Sequence, residues 1–379
     1  MLGGACSAAR ASRAAAASVA EVPARIPTGG LLQVTSSGNL SWKDLQPVQT
    51  LREHKDAVLS VAFSPDEKLA VTASRDRTVR LWAMPSGRLV HTVLLSAGAS
   101  PIHHACFSSD SRHFVVSAGK SVYLWQARNR KVLGVLDHQE DVTMATFSPD
   151  SQTLLTSSAA GTAKWWDVVT RKGLLVLEGH TSLVSSVEFF PNGKFALTGS
   201  WDGSAKLWDL EARNPAAIAT LDSESMLNPI LKAVVSPDGA QALLCYDDGT
   251  ATLWDVNHAL EVHLQAAQGV KPWPWVRLWR AMFGTWHTVL MDHHKGMVMS
   301  AAFSRNGRFA LTASADQSVV LWCLRTSDPV AWLNGHTDKV SSVVISRSGR
   351  WALTGSWDKT AMLWDLQELG VDELVSAMS

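Results

Sequence analysis

A short phrase that ends in tryptophan recurs seven times along the chain, and this repeat constrains the fold more than any other feature. The phrases close at Trp82, Trp125, Trp166, Trp208, Trp254, Trp322 and Trp364. Successive copies are 43, 41, 42, 46, 68 and 42 residues apart. A period of about 40–45 residues is typical of a repeated supersecondary unit of four strands. The single long interval indicates an insertion between the fifth and sixth copies.

Within each period, the apolar residues follow the spacing of β-strands. In the fourth period the alternating pairs are Val187 and Phe189, Phe195 and Leu197, and Ala205 and Leu207. Turn signals separate them at 191–193 and at 202–203. Short alternating stretches broken in this way are typical of antiparallel strands joined by tight hairpins. Because no helical pattern intervenes, doubly wound α/β folds are excluded, and the sequence predicts an all-β protein.

The composition excludes several functional classes. With 34 basic and 34 acidic residues, the formal net charge is zero, which argues against binding of nucleic acid or an anionic membrane by bulk electrostatics. At 46% apolar residues, the chain can bury a substantial core. The four cysteines form no CxxC pair, so a disulfide framework or a cysteine zinc site is not expected. No apolar stretch is long enough to predict a membrane-spanning helix.

The motifs around the tryptophans resemble those of the WD-repeat family of β-propellers, over roughly residues 47–366. A Ser-Pro-Asp turn occurs at 64–66, 148–150 and 236–238. A Trp-Asp pair closes the repeat at 166–167, 208–209, 254–255 and 364–365. The resemblance implies a seven-bladed β-propeller of four-stranded antiparallel blades.

In this family a His, a Thr or Ser, an Asp and the Trp of each blade form a hydrogen-bonded chain. A buried indole N–H requires an acceptor, which the hydroxyl supplies, and the network is stable only when it is complete. By the family spacing, four blades carry the full set: His54, Thr72, Asp76 and Trp82; His180, Thr198, Asp202 and Trp208; His294, Thr312, Asp316 and Trp322; and His336, Thr354, Asp358 and Trp364. Since catalytic sites do not usually repeat around a ring, we interpret these tetrads as structural.

Three blades depart from the full tetrad. In blade 3, Ala160 takes the place of the Asp. In blade 5, Met226 and Leu244 take the places of the His and the Thr. Blade 2 keeps only Trp125, and its last hairpin is two residues shorter. We expect blades 2 and 5 to open most easily.

The family closes its ring with an N-terminal strand that completes the last blade, and residues 47–51 lie where that strand is expected, just before His54. An open ring would leave an unpaired strand edge, which invites aggregation. We therefore expect that deletion of residues 1–30 is tolerated, whereas deletion of residues 1–53 yields aggregate.

The residue before the hairpin Asp projects, in this family, toward one rim of the propeller, called the top face. These positions are Arg75, Ala159, Trp201, Asp247, Ala315 and Trp357. A partly exposed Trp is a favoured anchor at protein interfaces, so Trp201 and Trp357, with Arg75, are candidate partner-binding residues. In the alternative interpretation each indole lies flat on its neighbouring blade, and the sequence does not decide between the two.

The insertion, residues 265–290, contains four tryptophans. Residues 275–283 place Trp275 and Trp279 on one apolar helical face, which must be covered by the propeller wall, a partner or a lipid surface. Two registers are open for the outer strand of blade 5. Residues 261–264 put the insertion on the top face, which we slightly favour, whereas residues 286–290 put it on the opposite face.

The ends of the chain lack the repeat. Residues 1–30 are rich in Ala, Ser and Arg and are expected to be a disordered leader or an organelle-targeting segment. The propeller is expected over 31–366, with a C-terminal tail over 367–379 packed on it. A cytoplasmic location is the expectation for the whole chain.

Other motifs with chemical potential are weak. His287, His293 and His294 are close in sequence, but His294 belongs to a tetrad, so no metal site is expected. No nucleophile or phosphate-loop motif is complete, and no cofactor is expected. The sequence therefore favours a non-enzymatic scaffold that presents its rims to partner proteins. The alternatives are a propeller that binds a small or lipidic ligand, or a membrane surface, through the insertion, and an enzyme that uses the central channel.

Overall fold

In the described part of the chain, tight turns and alternating apolar residues produce successive antiparallel hairpins. A computed structural model describes residues 30–34, 40–43, 45–95, 100–212, 217–222, 228–257 and 287–369. Within these ranges the strands form seven sheets, each with four antiparallel strands of the propeller ordered from the central channel outward. The predicted seven-bladed, all-β propeller is therefore confirmed. The described part of the chain contains no helix that is long and apolar enough to cross a membrane.

The first four blades have closely similar strand lengths. Blade 1 comprises β4 (Val58–Phe63), β5 (Leu69–Ser74), β6 (Thr78–Ala83) and β7 (Arg88–Leu94). Blade 2 comprises β8 (Ile102–Phe107), β9 (His113–Ala118), β10 (Ser121–Gln126) and β11 (Lys131–Asp137). Blade 3 comprises β12 (Val142–Phe147), β13 (Thr153–Ser158), β14 (Thr162–Asp167) and β15 (Gly173–Glu178). Blade 4 comprises β16 (Val184–Phe189), β17 (Phe195–Ser200), β18 (Ser204–Asp209) and β19 (Ala217–Asp222).

The last three blades include blade 7, which combines strands from the two ends of the propeller sequence. Blade 5 comprises β20 (Ile230–Val235), β21 (Gln241–Tyr246), β22 (Ala251–Asp255) and β23 (His287–Met291). Blade 6 comprises β24 (Val298–Phe303), β25 (Phe309–Ser314), β26 (Val319–Cys323) and β27 (Pro329–Leu333). Blade 7 comprises β28 (Val340–Ile345), β29 (Trp351–Ser356), β30 (Ala361–Asp365) and, from the N-terminal side, β3 (Gln49–Leu51). A 3₁₀ helix, Leu366–Leu369, follows β30.

The hydrophobic core lies between adjacent blades, where neighbouring sheets pack face to face. The approach is close enough that two glycines of the Gly-Ser-Trp-Asp phrases are required. A methyl group on Gly199 would come within 2.8 Å of Ile230 in blade 5, and one on Gly355 within 2.8 Å of Val61 in blade 1. A side chain at either position would therefore require the facing residue of the next blade to shift.

The ring closes through a strand that is distant in sequence. β3 pairs antiparallel with β30, with Gln49 opposite Leu363 and Leu51 opposite Ala361. Leu51 is 2% exposed and belongs to a buried cluster shared by blades 7 and 1. The closing strand expected at 47–51 is thus confirmed.

A second hairpin was not predicted from the sequence. β1 (Gly30–Val34) and β2 (Leu40–Lys43) pair with each other, and β1 continues the sheet of blade 6 outward by pairing with β27. Leu45, which follows the hairpin, is buried and forms a parallel bridge with Leu333. Blade 6 therefore lies in a sheet of six strands.

The strand register of blade 5 decides where the insertion leaves the ring. The outer strand is His287–Met291, which pairs with β22 so that Met291 lies opposite Ala251. The insertion consequently joins the third and the outer strands, at the rim opposite the one that carries Trp201, and the slightly favoured top-face register was wrong. Two alternating apolar stretches were each compatible with the outer edge of blade 5. Only the pairing with β22 shows which of them forms the strand. Trp275 and Trp279 lie outside the described residues, as do residues 1–29 and 370–379.

Candidate functional site

Four side chains in each of four blades form one continuous hydrogen-bonded chain. In blade 4, the indole Nε1–H of Trp208 donates to Thr198 Oγ1 at 2.9 Å, and Thr198 Oγ1 lies 2.7 Å from His180 Nε2. His180 Nδ1 lies 2.8 Å from Asp202 Oδ2. The corresponding distances in blades 1, 6 and 7 lie between 2.7 and 3.2 Å. Because the Thr198 hydroxyl oxygen accepts the Trp208 N–H, its own hydrogen is donated to His180 Nε2. The imidazole hydrogen then lies on Nδ1 and is donated to the Asp202 carboxylate.

The carboxylate of each tetrad also fixes the rim hairpin. Asp202 accepts the backbone N–H of Thr181 at 3.0 Å and both the N–H and the hydroxyl of Ser204, at 2.9 and 2.6 Å. Burial alone would raise the pKa of Asp202, but the hydrogen bonds from Ser204, Thr181 and His180 outweigh burial and lower the pKa to about 2. Burial lowers the pKa of His180 despite its carboxylate partner. Because the His180 and Asp202 side chains are 1% and 9% exposed, a substrate has no access to them, which favours a structural role.

Blade 3 keeps the chain without its carboxylate. Trp166 Nε1–H donates to Thr156 Oγ1 at 2.9 Å, and Thr156 Oγ1 lies 3.0 Å from His138 Nε2. Ala160 occupies the place of the Asp, so the tetrad has no carboxylate, and only the more distant charge of Asp137 favours the protonated imidazole. Burial, reinforced by the charge of Lys164, lowers the pKa of His138 to about 4.

Restoring this missing carboxylate is expected to stabilise the protein. In the Ala160→Asp variant, the new carboxylate can accept hydrogen bonds from His138 Nδ1 and from the Thr162 hydroxyl, as its counterpart does in blade 4. We expect a gain of about 1 kcal/mol in the free energy of unfolding, measured by urea denaturation. Ala159→Asp is the matched control, because that exposed neighbour has no imidazole partner and should change stability little.

The gain should depend on pH with a defined sign. The unfolded chain binds a proton on His138 near its ordinary pKa of 6.5, whereas the folded protein rejects that proton down to about 4. This group therefore lowers the stability of the wild-type protein as the pH falls through that window. With the carboxylate present, the folded protein can hold the proton on His138. The gain in free energy of unfolding of Ala160→Asp over the wild type should therefore grow as the pH falls from about 7 to about 5. An advantage that shrinks over this interval contradicts the assignment.

The repeat tryptophans of blades 5 and 2 differ in the hydrogen bonding of their indole N–H groups. In blade 5, Trp254 Nε1–H donates to Thr252 Oγ1 at 2.7 Å, and this hydroxyl donates to the Tyr246 hydroxyl at 3.2 Å. Thr252 was not predicted from the sequence, although in the phrase Gly-Thr-Ala-Thr-Leu-Trp it is the one aliphatic hydroxyl at a position that holds Arg, Lys, Val, Met or Tyr in the other copies. In blade 2, Trp125 stacks on Phe114 with a centroid distance of 5.8 Å, and its buried Nε1 has no partner among the described residues.

The rim positions that precede the hairpin Asp differ in exposure. Trp201 projects from the hairpin of blade 4 and is 50% exposed. Trp357, its counterpart in blade 7, is half-buried, with the guanidinium of Arg75 4.7 Å and the ammonium of Lys339 4.9 Å from its ring. Trp357 thus contacts the neighbouring blade, as one of the two interpretations expected, whereas Trp201 offers half of its surface to solvent.

The central channel contains a cavity of about 500 Å³ lined by the inner strands. Lys232 lies in it and donates to Met144 Sδ at 3.0 Å. Burial raises the pKa of Glu188 to about 7, against the opposing effect of Lys232. Burial also raises the pKa of Cys106 to about 12, so its thiol stays neutral and is a poor nucleophile.

The histidine pair considered as a metal site does not converge on one point. His294 Nδ1 is committed to Asp316 in the blade 6 tetrad, at 3.2 Å. His293 Nδ1 lies 3.4 Å from Asp292 Oδ1, and its ring meets Trp322 edge-on. Among the residues that the structure describes, no three ligating side chains form a group able to hold a metal ion. The side chain of His287 is not among those described.

Comparison with known families places the repeats in register with the blades. A family model described as "WD domain, G-beta repeat" matches residues 45–83, 130–167, 171–209, 285–323 and 327–365, about half of the chain. Each matched stretch begins in the region of one blade's outer strand and ends with the third strand of the next blade. The two repeats outside the matches are those that end at Trp125 and Trp254, where the tetrad is lost.

Curated relatives share parts of the chain. Protein SPA1-RELATED 3 of Arabidopsis thaliana is 32% identical over 149 residues, which are 36% of this chain and 17% of that protein. Pre-mRNA-processing factor 19 of Oryza sativa subsp. japonica is 30% identical over 188 residues, 48% of this chain and 35% of that protein. Nuclear distribution protein PAC1 of Arthroderma benhamiae is 25% identical over 298 residues, 75% of this chain and 62% of that protein. The chain thus spans less than two thirds of the length of each.

Proposed function

The chain belongs to the WD-repeat family, and from that premise we propose that it is a non-enzymatic platform that binds partner proteins through the rim carrying Trp201. Propellers of this family typically mediate protein interactions. The observation that carries the proposal is the indole of Trp201, which is 50% exposed on a hairpin of the rim. A partly exposed Trp on a rigid support is among the strongest anchors at protein interfaces.

The hairpin beneath Trp201 is held in place before any partner arrives. The N–H of Trp201 donates to the carbonyl of Leu183 at 2.9 Å, and the next residue is the tetrad carboxylate Asp202. The N–H of Gly203 donates to the carbonyl of Ser200 at 3.2 Å. Because the loop is already ordered, binding loses less conformational entropy, which raises affinity.

The side chains with catalytic potential support a platform rather than an enzyme. Each complete His, Thr and Asp set is buried and satisfied within its own blade. In the channel, Cys106 is held as a neutral thiol. The accessible chemistry is therefore that of the rims, where hydrogen-bonded hairpins present short side chains, charges and the half-exposed indole of Trp201.

Truncation of this indole tests the proposal. The Trp201→Ala variant should keep the wild-type stability within about 0.5 kcal/mol, because the side chain has little burial to lose. It should weaken the binding of a partner recovered with the wild-type protein about tenfold or more, measured by titration with the purified partner. Val169→Ala is the matched control, since Val169 is 74% exposed on the opposite rim. Equal affinities of the two variants for every recovered protein would exclude the Trp201 rim as the binding surface.

A further inference from the structure

Two cations contact the second rim tryptophan where blades 7 and 1 meet, and the same hairpins carry two more. We call Arg75, Arg77, Lys339, Lys359 and Trp357 the seam cluster. The guanidinium of Arg75 and the ammonium of Lys339 both lie within 5 Å of the indole ring, at 4.7 and 4.9 Å. Arg77 and Lys359 occupy the exposed third positions of the two hairpins that carry Arg75 and Trp357. The aromatic ring thus has two like charges close to it, and each of the two hairpins carries one further exposed cation two residues later.

The same positions in blades 3 to 6 are not basic. At the first and third hairpin positions, blades 3, 4, 5 and 6 carry Ala159 and Gly161, Trp201 and Gly203, Asp247 and Gly249, and Ala315 and Gln317. Trp201 occupies the same hairpin position as Trp357 but lacks the neighbouring cations. Its N–H donates to Leu183 where that of Trp357 donates to Lys339, and the next blade presents Asp247 where blade 1 presents Arg75.

The four cations have no carboxylate partner at ion-pair distance within the described part of the chain. The carboxylates of the same hairpins are used inside their own blades. Asp76 accepts from His54, from the N–H of Lys55, and from Thr78, and Asp358 is engaged in the same way. Asp56 and Asp338, in the adjoining loops, each accept the N–H of the following residue. The cations therefore have unused donors that face solvent.

Two of these cations sit at backbone positions that favour glycine. Arg77 has φ 66° and Lys359 has φ 70°, in the left-handed region, whereas blades 3, 4 and 5 place glycine at this position with φ 78°, 82° and 89°. A side chain is disfavoured there. Replacement of Arg77 and Lys359 by glycine thus removes two charges and at the same time relaxes the backbone.

We propose that the seam cluster binds a carboxylate-rich segment of a partner protein. The inference rests on the proposed function and adds the chemical class of the partner. Guanidinium and ammonium groups form strong charge-assisted hydrogen bonds with carboxylates, and the indole gives apolar contact to the carbon atoms between them. Because the formal net charge of the chain is zero, the attraction is local to this sector, which favours a peptide over a long polyanion such as nucleic acid.

The test uses the full chain and the double variant Arg77→Gly/Lys359→Gly. The variant should melt at or above the wild-type temperature, because it relieves left-handed strain. Its affinity for a fluorescent peptide of alternating Asp and Gly residues should fall about fivefold, the order expected for two exposed charge pairs. Gln317→Gly is the matched control, since Gln317 has φ 77° at the equivalent position of blade 6 and carries no charge. It should share the stability gain and keep the affinity.

Two further probes fix the class of ligand. A peptide with Asn in place of Asp should not bind, and binding of the acidic peptide should weaken as sodium chloride is raised, because exposed charges are screened. Equal binding of the Asn peptide, or an unchanged affinity in the double variant, overturns the inference. Tighter binding of a single-stranded DNA oligonucleotide than of the acidic peptide, lost in the double variant, also overturns it and assigns the cluster to nucleic acid.

The failure of this inference and that of the proposed function give different results. If a recovered partner depends on Trp201 but the acidic peptide does not bind, the platform stands and the seam cluster has no such role. If the acidic peptide binds through the seam cluster but no partner depends on Trp201, the rim assignment of the proposed function fails while the seam assignment stands.

Discussion

A chain that begins at residue 54 should not yield a soluble, cooperatively folding monomer. It lacks β3, so blade 7 has three strands, and the free edge of β30 is exposed. It also lacks Leu51, which is 2% exposed and packs between blades 7 and 1. An unpaired strand edge beside an opened apolar cluster is a template for aggregation. Size-exclusion chromatography and thermal melting measure the outcome.

The control is a chain that begins at residue 30, which keeps every strand that the structure describes. It should elute as the wild-type protein and melt at the same temperature. A third chain, from residue 45, removes β1 and β2 but keeps the closing strand, and should remain soluble with a lower melting temperature. A soluble chain from residue 54 with a single sharp melting transition would show that β3 does not close the ring.

The Thr198→Val variant should lower the free energy of unfolding by about 2–4 kcal/mol. The hydroxyl accepts from Trp208 Nε1 at 2.9 Å and lies 2.7 Å from His180 Nε2. Valine has nearly the same shape but leaves both nitrogens buried without a partner, and each buried unsatisfied group costs about 1–3 kcal/mol. Urea denaturation measures the change.

Thr220→Val is the control within the same blade. Thr220 lies on the outer strand, is partly exposed, and receives only a 3.3 Å hydrogen bond from Lys206 Nζ. Its replacement should change the free energy of unfolding by no more than about 0.5 kcal/mol. Equal losses in the two variants would mean that the tetrad hydroxyl contributes no more than any threonine of the blade.

The ring could be predicted from the sequence because its determinants are local and repeated. A Trp, a Thr ten residues before it and a His eighteen residues before that recur in five blades, and the hydrogen bonds between them lie within one sheet. The closing strand was also predictable, since its place before His54 is set by the same repeat. Both were located by spacing along the chain, although the closing strand then pairs with a segment that is distant in sequence.

The features that the sequence did not reveal depend on tertiary pairing. The hairpin β1–β2 has no repeat motif, and its place on blade 6 follows from an edge that β27 leaves open. The outer strand of blade 5 had two possible registers, and only its pairing with β22 selects His287–Met291. In such cases, alternation of apolar residues shows that a strand exists but not which edge it joins.

The candidate site was predictable in position but not in character. Spacing placed Trp201 and Trp357 at equivalent hairpin positions, yet one is half-exposed and the other lies beside Arg75 and Lys339. The difference comes from residues of the neighbouring loop and blade, which are remote in sequence. Thr252 was missed for a different reason: it accepts from Trp254 two residues away and donates to Tyr246, so it lies outside the spacing of the family tetrad.

The pairing of β3 with β30 determines how the ring responds to mechanical tension. The strands are antiparallel, with Gln49 opposite Leu363, so the segments before β3 and after β30 leave the sheet at the same end. Tension between those segments would therefore open the hydrogen bonds of the β3–β30 pair one after another instead of shearing them together. A pull from the N-terminal side must, however, first detach β1 from blade 6. The pairing of β1 with β27 would therefore have to break before a force applied from the N-terminal side reached the closing strand.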